Sequence, residues 1–345
     1  MPFDPHIAVE RLLELQRKIR DAVLAGRDQQ DLSDVSRAST ADTIYKLDAL
    51  IEPIVDEYCE HWGKSLPMVV ICEGLEPETG KTFPAGTREE DAVIRIILDP
   101  VDGTRGVMYD KRPAWSLAGI APNKGAQTRL SDITVSAMTE LPTSKMGLGD
   151  VLWAIKGEGA KGRRESLHDA SLDPLPLPIR PSQADTIAHG FAMISNFFPG
   201  TKVLASVLME EIVSRLLGPA DVTKAMVFED QYISTGGQFY ELIVGHDRFN
   251  ADLRPLFYRC TTNGAEGLCC HPYDCATWLI AEEAGVILTD GLGNRLDGPL
   301  DCVTGLNWAG FSNPRLYRKI QPIIKQFFKN WGVVTEDSPV AERKE

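Results

Sequence analysis

Residues 93–98 form a short β-branched run that passes without a break into Asp99-Pro100-Val101-Asp102-Gly103-Thr104. This junction constrains the fold more than any other segment. The run meets Asp-Pro and Asp-Gly, both turn dipeptides, so a turn is expected at the strand's carboxyl end. Pro100 fixes one φ, and Gly103 permits a sharp reversal. Such a turn can aim two carboxylates and the Val101 carbonyl at one point. Hard cations such as Mg²⁺ take oxygen ligands of this kind, octahedrally, at about 2.0–2.1 Å. The backbone N–H groups of Gly103 and Thr104 would suit a phosphate oxygen if a helix or nest begins there. Asp-Pro and Asp-Gly are also ordinary turn dipeptides, so the segment alone leaves a plain turn open.

The surrounding pattern alternates helices and strands. Amphipathic helices are expected over residues 7–24 and 42–58. In the second, Ile44, Leu47, Ile51, Ile54, Val55 and Tyr58 share one stripe, with Lys46 opposite. Asp48 lies beside that stripe, where a carboxylate is either satisfied locally or faces a polar site. A strand over 68–72 ends at Glu73, and a polar loop over 74–90 follows. Further strands are expected over 115–121 and 151–155, the latter closed by the Lys156-Gly157-Glu158-Gly159 turn. Pro174, Pro176, Pro178 and Pro181 mark an extended linker. It divides an N-terminal α+β lobe (1–180) from a C-terminal α/β lobe (181–335), with a loose tail over 336–345. The second lobe reads as a strand over 186–195, a helix over 201–217, and a helix over 276–284 closed by Gly285. A strand over 286–289, a turn over 290–294 and a helix over 313–330 complete it. Hairpin-like connections favour an α+β fold of layered helices and sheets over a purely parallel sheet.

Composition narrows the partners. Of 345 residues, 49 are acidic and 36 basic, giving a net charge of -13. That balance argues against a nucleic-acid polymer or an anionic membrane. It leaves a small phosphorylated substrate open, because bound Mg²⁺ reverses the local field. No basic and apolar leader is visible, and no apolar run nears the roughly 20 residues of a membrane span. A soluble, cytoplasmic chain with reduced thiols is expected. Cys269, Cys270, His271 and Cys275 cluster, but their spacing fits a zinc site poorly, and buried thiols are the simpler reading.

Two further acids complete a constellation. Glu73 ends the strand before the turn, so a neighbouring strand could set it beside Asp99. Glu76 and Glu78 stand close by as alternatives, as does a solvated role for Glu73 itself. Asp274 stands at the start of the helix over 276–284, where it is also a natural N-cap. Together Glu73, Asp99, Asp102 and Asp274 can hold two or three Mg²⁺ ions. Metals about 3.5–4 Å apart clamp the attacking and leaving oxygens of an in-line displacement. Asp48 and the Thr104 hydroxyl could orient the attacking water and take its proton.

These residues resemble the inositol monophosphatase superfamily of metal-dependent phosphatases, which includes inositol monophosphatases, fructose-1,6-bisphosphatases and bisphosphate nucleotidases. The family pattern is a Glu after a strand, an Asp-Pro-(Ile/Leu/Val)-Asp-Gly-(Thr/Ser) segment, and a later Trp-Asp before a helix ending Glu-Ala-Gly-Gly. Here these correspond to Glu73, Asp99 to Thr104, and Asp274 followed by Glu283-Ala284-Gly285-Val286. The Ala154-Ile155-Lys156-Gly157-Glu158-Gly159-Ala160 hairpin and Ser234-Thr235-Gly236-Gly237 also look similar. The resemblance spans residues 8–330. It implies a layered α/β/α/β/α sandwich and Mg²⁺-dependent hydrolysis of a small phosphorylated polyol or sugar by water, without a phosphoenzyme. By position, Glu73, Asp99 and the Val101 carbonyl would hold one metal and Asp99, Asp102 and Asp274 a second. Glu73 would share a third. Asp48 and Thr104 would activate water, while Asp102, Gly103, Thr104, Asp274 and Glu241 would contact substrate. A homodimer is a further expectation.

The chain also departs from that pattern. Tyr273 replaces the Trp, Cys72 replaces a Gly, and an extra segment over 248–270 precedes Asp274. Gln238 stands where an inositol-recognising Asp would. Thr104-Arg105-Gly106 resembles the Thr-Lys-Gly of bisphosphate nucleotidases. Arg248 and Arg254 could meet a second anionic group, or be solvated charges. A bisphosphate nucleotidase or sugar-bisphosphate phosphatase is therefore an alternative, and a catalytically silent phospho-ligand-binding protein is another of a different class.

Overall fold

The computed structural model describes residues 2–26, 35–38, 43–75, 77, 79–261 and 267–333, with side chains described for all of these except 35–49. The chain opens with α1 (Pro5–Gly26), a ribbon of β1 (Val35–Ala38) and β2 (Thr43–Tyr45), and α2 (Lys46–Gly63). Next come β3 (Met68–Cys72), β4 (Lys81–Phe83), β5 (Ile94–Asp102), the short α3 (Thr104–Met108) and β6 (Ala114–Pro122). β7 (Val135–Leu141), β8 (Leu148–Ile155), β9 (Ala160–Ser166) and β10 (Leu175–Pro176) follow. The rest comprises β11 (Phe191–Ile194), α4 (Lys202–Leu217), α5 (Thr235–Ile243), β12 (Asp247–Asp252) and α6 (Arg254–Thr261). It ends with α7 (Trp278–Glu283), β13 (Ile287–Thr289), β14 (Trp308–Phe311) and α8 (Pro314–Asn330).

Two sheets organise these elements. The larger runs β10-β9-β8-β7-β6-β5-β3-β4, and the smaller runs β11-β12-β14-β13. Each holds one parallel pair, β3 with β5 and β11 with β12, among antiparallel neighbours. The layers follow from the period-two alternation of buried strands. Met68, Val70, Ile94, Ile96 and Leu98 face a core shared with Leu12, Leu15 and Ile19 of α1 and Ile51 and Val55 of α2. Val69, Ile71 and Ile97 point the other way, into a core with Phe239 of α5, Trp278 of α7 and Trp308 of β14. A third core joins β11, β12 and β14 to Leu208 of α4, Phe257 of α6 and Phe327 of α8. The result is an α/β/α/β/α sandwich, as the resemblance implied. Among the described residues, no helix is long and apolar enough to cross a membrane.

Several expectations need correction. The second helix starts at Lys46 and runs to Gly63, and it contains Pro53. The strand expected over 186–195 is only Phe191–Ile194, because residues before it are tied into turns. The segment over 248–270 is no appendage. Most of β12 falls within it, and β12 lies between β11 and β14 in the small sheet. Asp274 does not cap the following helix. α7 begins at Trp278 with Thr277 before it, and Asp274 instead accepts from the His271 backbone N–H at 2.6 Å. The tail over 336–345 and the side chains of Glu76 and Glu78 lie outside the described residues.

Candidate metal centre

The site forms where β5 stops being a regular strand. In the ladder with β6, Asp99 pairs with Leu117 and Asp102 with Trp115, so three steps on β5 oppose two on β6. That is a bulge of one residue. Residues three apart in a regular strand face opposite sides of the sheet. The extra residue resets the alternation and brings both carboxylates to one side. Pro100 suits the break, since it has no ladder N–H to lose. The Val101 N–H donates to Asp99 Oδ1 at 2.9 Å, which tightens the turn. Gly103 then takes φ +95°, and an added Cβ would sit 3.1 Å from Ser234 Cβ and 3.2 Å from the Ile233 carbonyl oxygen. α3 starts directly after it, and the Thr104 hydroxyl donates back to the Val101 carbonyl at 2.7 Å.

The other acids arrive from neighbouring elements. β3 runs parallel to β5 with Cys72 opposite Leu98, so the next residue, Glu73, meets Asp99. The Glu73 N–H closes that register on the Leu98 carbonyl at 3.1 Å. Asp274 comes from the turn before α7. Asp99, Asp102 and Asp274 each present an oxygen within 4.8 Å of the others. Among the described residues this is the only cluster of His, Cys, Asp or Glu placed to hold a metal ion.

Asp102 is anchored by α5. Its Oδ2 accepts from the Ser234 hydroxyl at 2.8 Å and the Gly236 N–H at 2.6 Å, and its Oδ1 from the Thr235 N–H at 3.3 Å. Ser234 is also the N-cap of α5, accepting from the Gly237 N–H at 2.9 Å. The carboxylate therefore sits at the positive end of a helix. Gly236 is required here, because a Cβ would lie 2.4 Å from Leu117 and 3.0 Å from Asp102 Oδ2.

The electrostatics call for a cation. Burial pushes Asp99 well above the usual carboxylate range, and Glu73, Asp102 and Asp274 push it further. Asp274 is raised by burial and then by Asp102, against an opposing pull from Arg254. Burial lifts Asp102 to about 6 despite its hydrogen bonds to Ser234, Gly236 and Thr235. Buried carboxylates this close cannot all ionise without compensation. An all-oxygen donor set of carboxylates beside the Val101 carbonyl fits a hard divalent cation such as Mg²⁺.

A cleft open to solvent surrounds the cluster. Glu73, Asp99, Val101, Asp102, Gly103, Thr104 and Asp274 line it together with Arg254, Phe197 and Phe198. The remaining sequence candidates fall elsewhere. Glu241 is six residues along α5, about 9 Å from the helix start. It does not line the cleft and pairs with His246 at 2.5 Å and Arg112 at 3.7 Å. Arg248 donates to the Thr186 and Ala188 carbonyls at 2.9 and 2.6 Å, away from the cleft. Asp48 belongs to α2, but its side chain lies outside the described residues. The cysteines form no zinc site. Cys270 and Cys275 touch at 3.4 Å, and burial pushes both thiols up, away from thiolate. His271 stacks on Tyr273, whose hydroxyl meets its Nδ1 at 3.0 Å. Asp252, Phe197 and Phe198 were not singled out by sequence, and Ser234 only as part of the Ser234-Thr235-Gly236-Gly237 resemblance. Ser is a favoured N-cap, and that signal would have given Ser234 its role at the start of α5.

Three solved structures share this architecture over nearly their whole length. A hypothetical protein from Pyrococcus horikoshii with similarities for inositol-1 monophosphatase aligns at 15% identity, covering 92% of this chain and 98% of that one, with a TM-score of 0.61. The inositol monophosphatase of Thermotoga maritima aligns at 13%, over 94% and 99%, with a TM-score of 0.60. The holo fructose-1,6-bisphosphatase of Leishmania major aligns at 13%, over 93% of each chain, with a TM-score of 0.67. No protein-family model and no curated protein matches the sequence. At such low identity, these likenesses establish the fold.

Proposed function

The chain has the fold of the inositol monophosphatase superfamily, and on that premise we propose that it is a Mg²⁺-dependent phosphomonoesterase acting on a small phosphorylated polyol or sugar. The observation that carries this reading is the convergence of Asp99, Asp102 and Asp274 within 4.8 Å of one another, beside Glu73, in the wall of an open cleft. A silent scaffold has no use for so costly an arrangement.

Glu73, Asp99, Asp102, Asp274 and the Val101 carbonyl are the residues that would hold Mg²⁺. Bound there, the ion supplies positive charge that polarises the phosphate ester and favours attack by water near neutral pH. The chain's own groups orient the reactants. The Thr104 hydroxyl donates its hydrogen bond to the Val101 carbonyl. Its oxygen is thereby left as an acceptor for a water proton. Asp48 is assigned to take that proton onward. The N–H groups of Gly103 and Thr104, at the start of α3, are assigned to the transferred phosphate. The N-terminus of α5 fixes Asp102 so that it cannot swing away as charge shifts during the reaction.

The test is free-phosphate release from inositol 1-phosphate, glycerol 1-phosphate and fructose 1,6-bisphosphate. Wild-type protein should release phosphate with Mg²⁺ and not with EDTA, and Glu73→Gln should be inactive in both. Equal rates with Mg²⁺ and EDTA would remove the reading altogether.

A further inference from the structure

The cleft wall also carries a cation and two aromatic rings that the acidic cluster does not explain. The carboxyl ends of β3 and β5, the parallel pair of the large sheet, deliver Glu73 and Asp99 to Asp102. The carboxyl ends of β11 and β12, the parallel pair of the small sheet, open on the same cleft. Phe197 and Phe198 follow β11, Asp252 ends β12, and Arg254 begins α6. Ligands in α/β sheets gather at such strand ends.

Arg254 is 5% exposed, yet it forms part of the cleft wall. Its Nε donates to the Asp252 oxygens at 2.8 and 3.0 Å, and its Nη2 to Oδ2 at 2.5 Å. Its Nη1 donates to the Leu268 carbonyl at 3.2 Å. These bonds use three of the five guanidinium N–H groups and leave one on each terminal nitrogen. The rings of Phe197 and Phe198 lie 5.1 and 5.2 Å from Cζ and fix the plane. A guanidinium held this way has already lost its rotamer freedom, so an incoming anion need not order it. A buried Asp–Arg pair is a weak stabilising device by itself. Arg254 pulls the Asp274 carboxyl down while Asp252 opposes that pull, so the pair offsets the metal-site acids only in part.

Resting on the phosphatase reading, we propose that Arg254 determines specificity by binding a second anionic group, phosphate or carboxylate, on the molecule that carries the scissile phosphate. The substrate class is then a sugar bisphosphate or a phosphorylated acid, and a plain polyol monophosphate is the poorer fit. Phe197 and Phe198 hold the fork and shield its bond from water.

The experiment compares kcat/KM within two substrate pairs, in Mg²⁺. Fructose 1,6-bisphosphate against fructose 6-phosphate adds a phosphate, and 3-phosphoglycerate against glycerol 1-phosphate adds a carboxylate. In the wild-type protein at least one pair should favour the added anion by about tenfold or more. The pair that does so identifies the group. In Arg254→Lys that ratio should fall toward one, whatever the absolute rates. The double variant Asp252→Asn/Arg254→Gln removes both charges, so no carboxylate is left buried and unpaired, and it should show the same collapse. A merely structural role lowers both members of a pair together and leaves the ratio alone. Ratios near one in wild type, or unchanged in the variants, overturn the inference. Release from none of the four compounds by wild type overturns the phosphatase reading as well.

Discussion

Asp102→Asn should push stability and activity in opposite directions. The carboxyl is buried, and its pKa is raised from 3.8 to about 6 in the metal-free fold. A carboxyl raised on folding adds stability below its unfolded value, and that stability is lost as pH rises through the folded value. At pH 8 without metal, the ionised Asp102 therefore costs the fold about 3 kcal/mol, from roughly two pKa units at about 1.4 kcal/mol each. Asparagine has the same shape and carries no charge. One of its polar atoms becomes a donor facing Ser234 or the α5 N–H groups, which returns about 1–2 kcal/mol of that gain. The variant should then be more stable than wild type by about 1–2 kcal/mol in EDTA at pH 8. Mg²⁺ should stabilise wild type and hardly affect the variant. Phosphate release should fall about a thousandfold or more, because several kcal/mol of transition-state stabilisation depend on the ligand set. Denaturant melts in EDTA and in Mg²⁺, beside a phosphate assay, read all three effects. A variant less stable than wild type in EDTA, or one keeping a tenth of the activity, would refute the view that the cluster is strained for a cation.

Ser234→Ala removes the α5 cap and a donor to Asp102. It should cost about 1–2 kcal/mol in urea melts and weaken Mg²⁺ binding about tenfold by calorimetry. Glu140 lies away from the metal centre. Burial raises its pKa to about 7, Asp150 and Glu241 add to the shift, and the Asp150 N–H and Arg164 oppose it. Its stability contribution should be lost as pH rises from about 4.5 to about 7. Glu140→Gln should flatten that slope, melting close to wild type at pH 4.5 and above it at pH 8.

Much of the site was legible because its chemistry is local. The Asp-Pro and Asp-Gly pairs marked a break, although β5 runs on through Asp99-Pro100 to Asp102 as a bulge and reverses only at Gly103, and a strand ending at Glu73 can sit in register beside it. Neither step needed tertiary information. Asp274 was found as a helix-start acid, although its oxygen caps a preceding turn and not α7. What escaped was fixed by burial instead of propensity. β12 reads Asp-Arg-Phe-Asn-Ala-Asp, a poor strand by composition. It holds by pairing with β11 and β14, with the Asn250 amide N–H on Asp247 at 2.7 Å and Asp252 on Arg254. α5 begins with Gly236-Gly237, residues that weaken a helix. The Ser234 cap, the Asp102 charge at its N-terminus and the burial of Phe239 and Leu242 override that weakness.

The most direct test is a crystal structure grown in millimolar Mn²⁺ with anomalous data. Density should appear between the carboxylates of Asp99, Asp102 and Asp274, with Glu73 and the Val101 oxygen turned toward it. A cluster closed on itself through shared protons, with no anomalous peak at that concentration, would contradict the account.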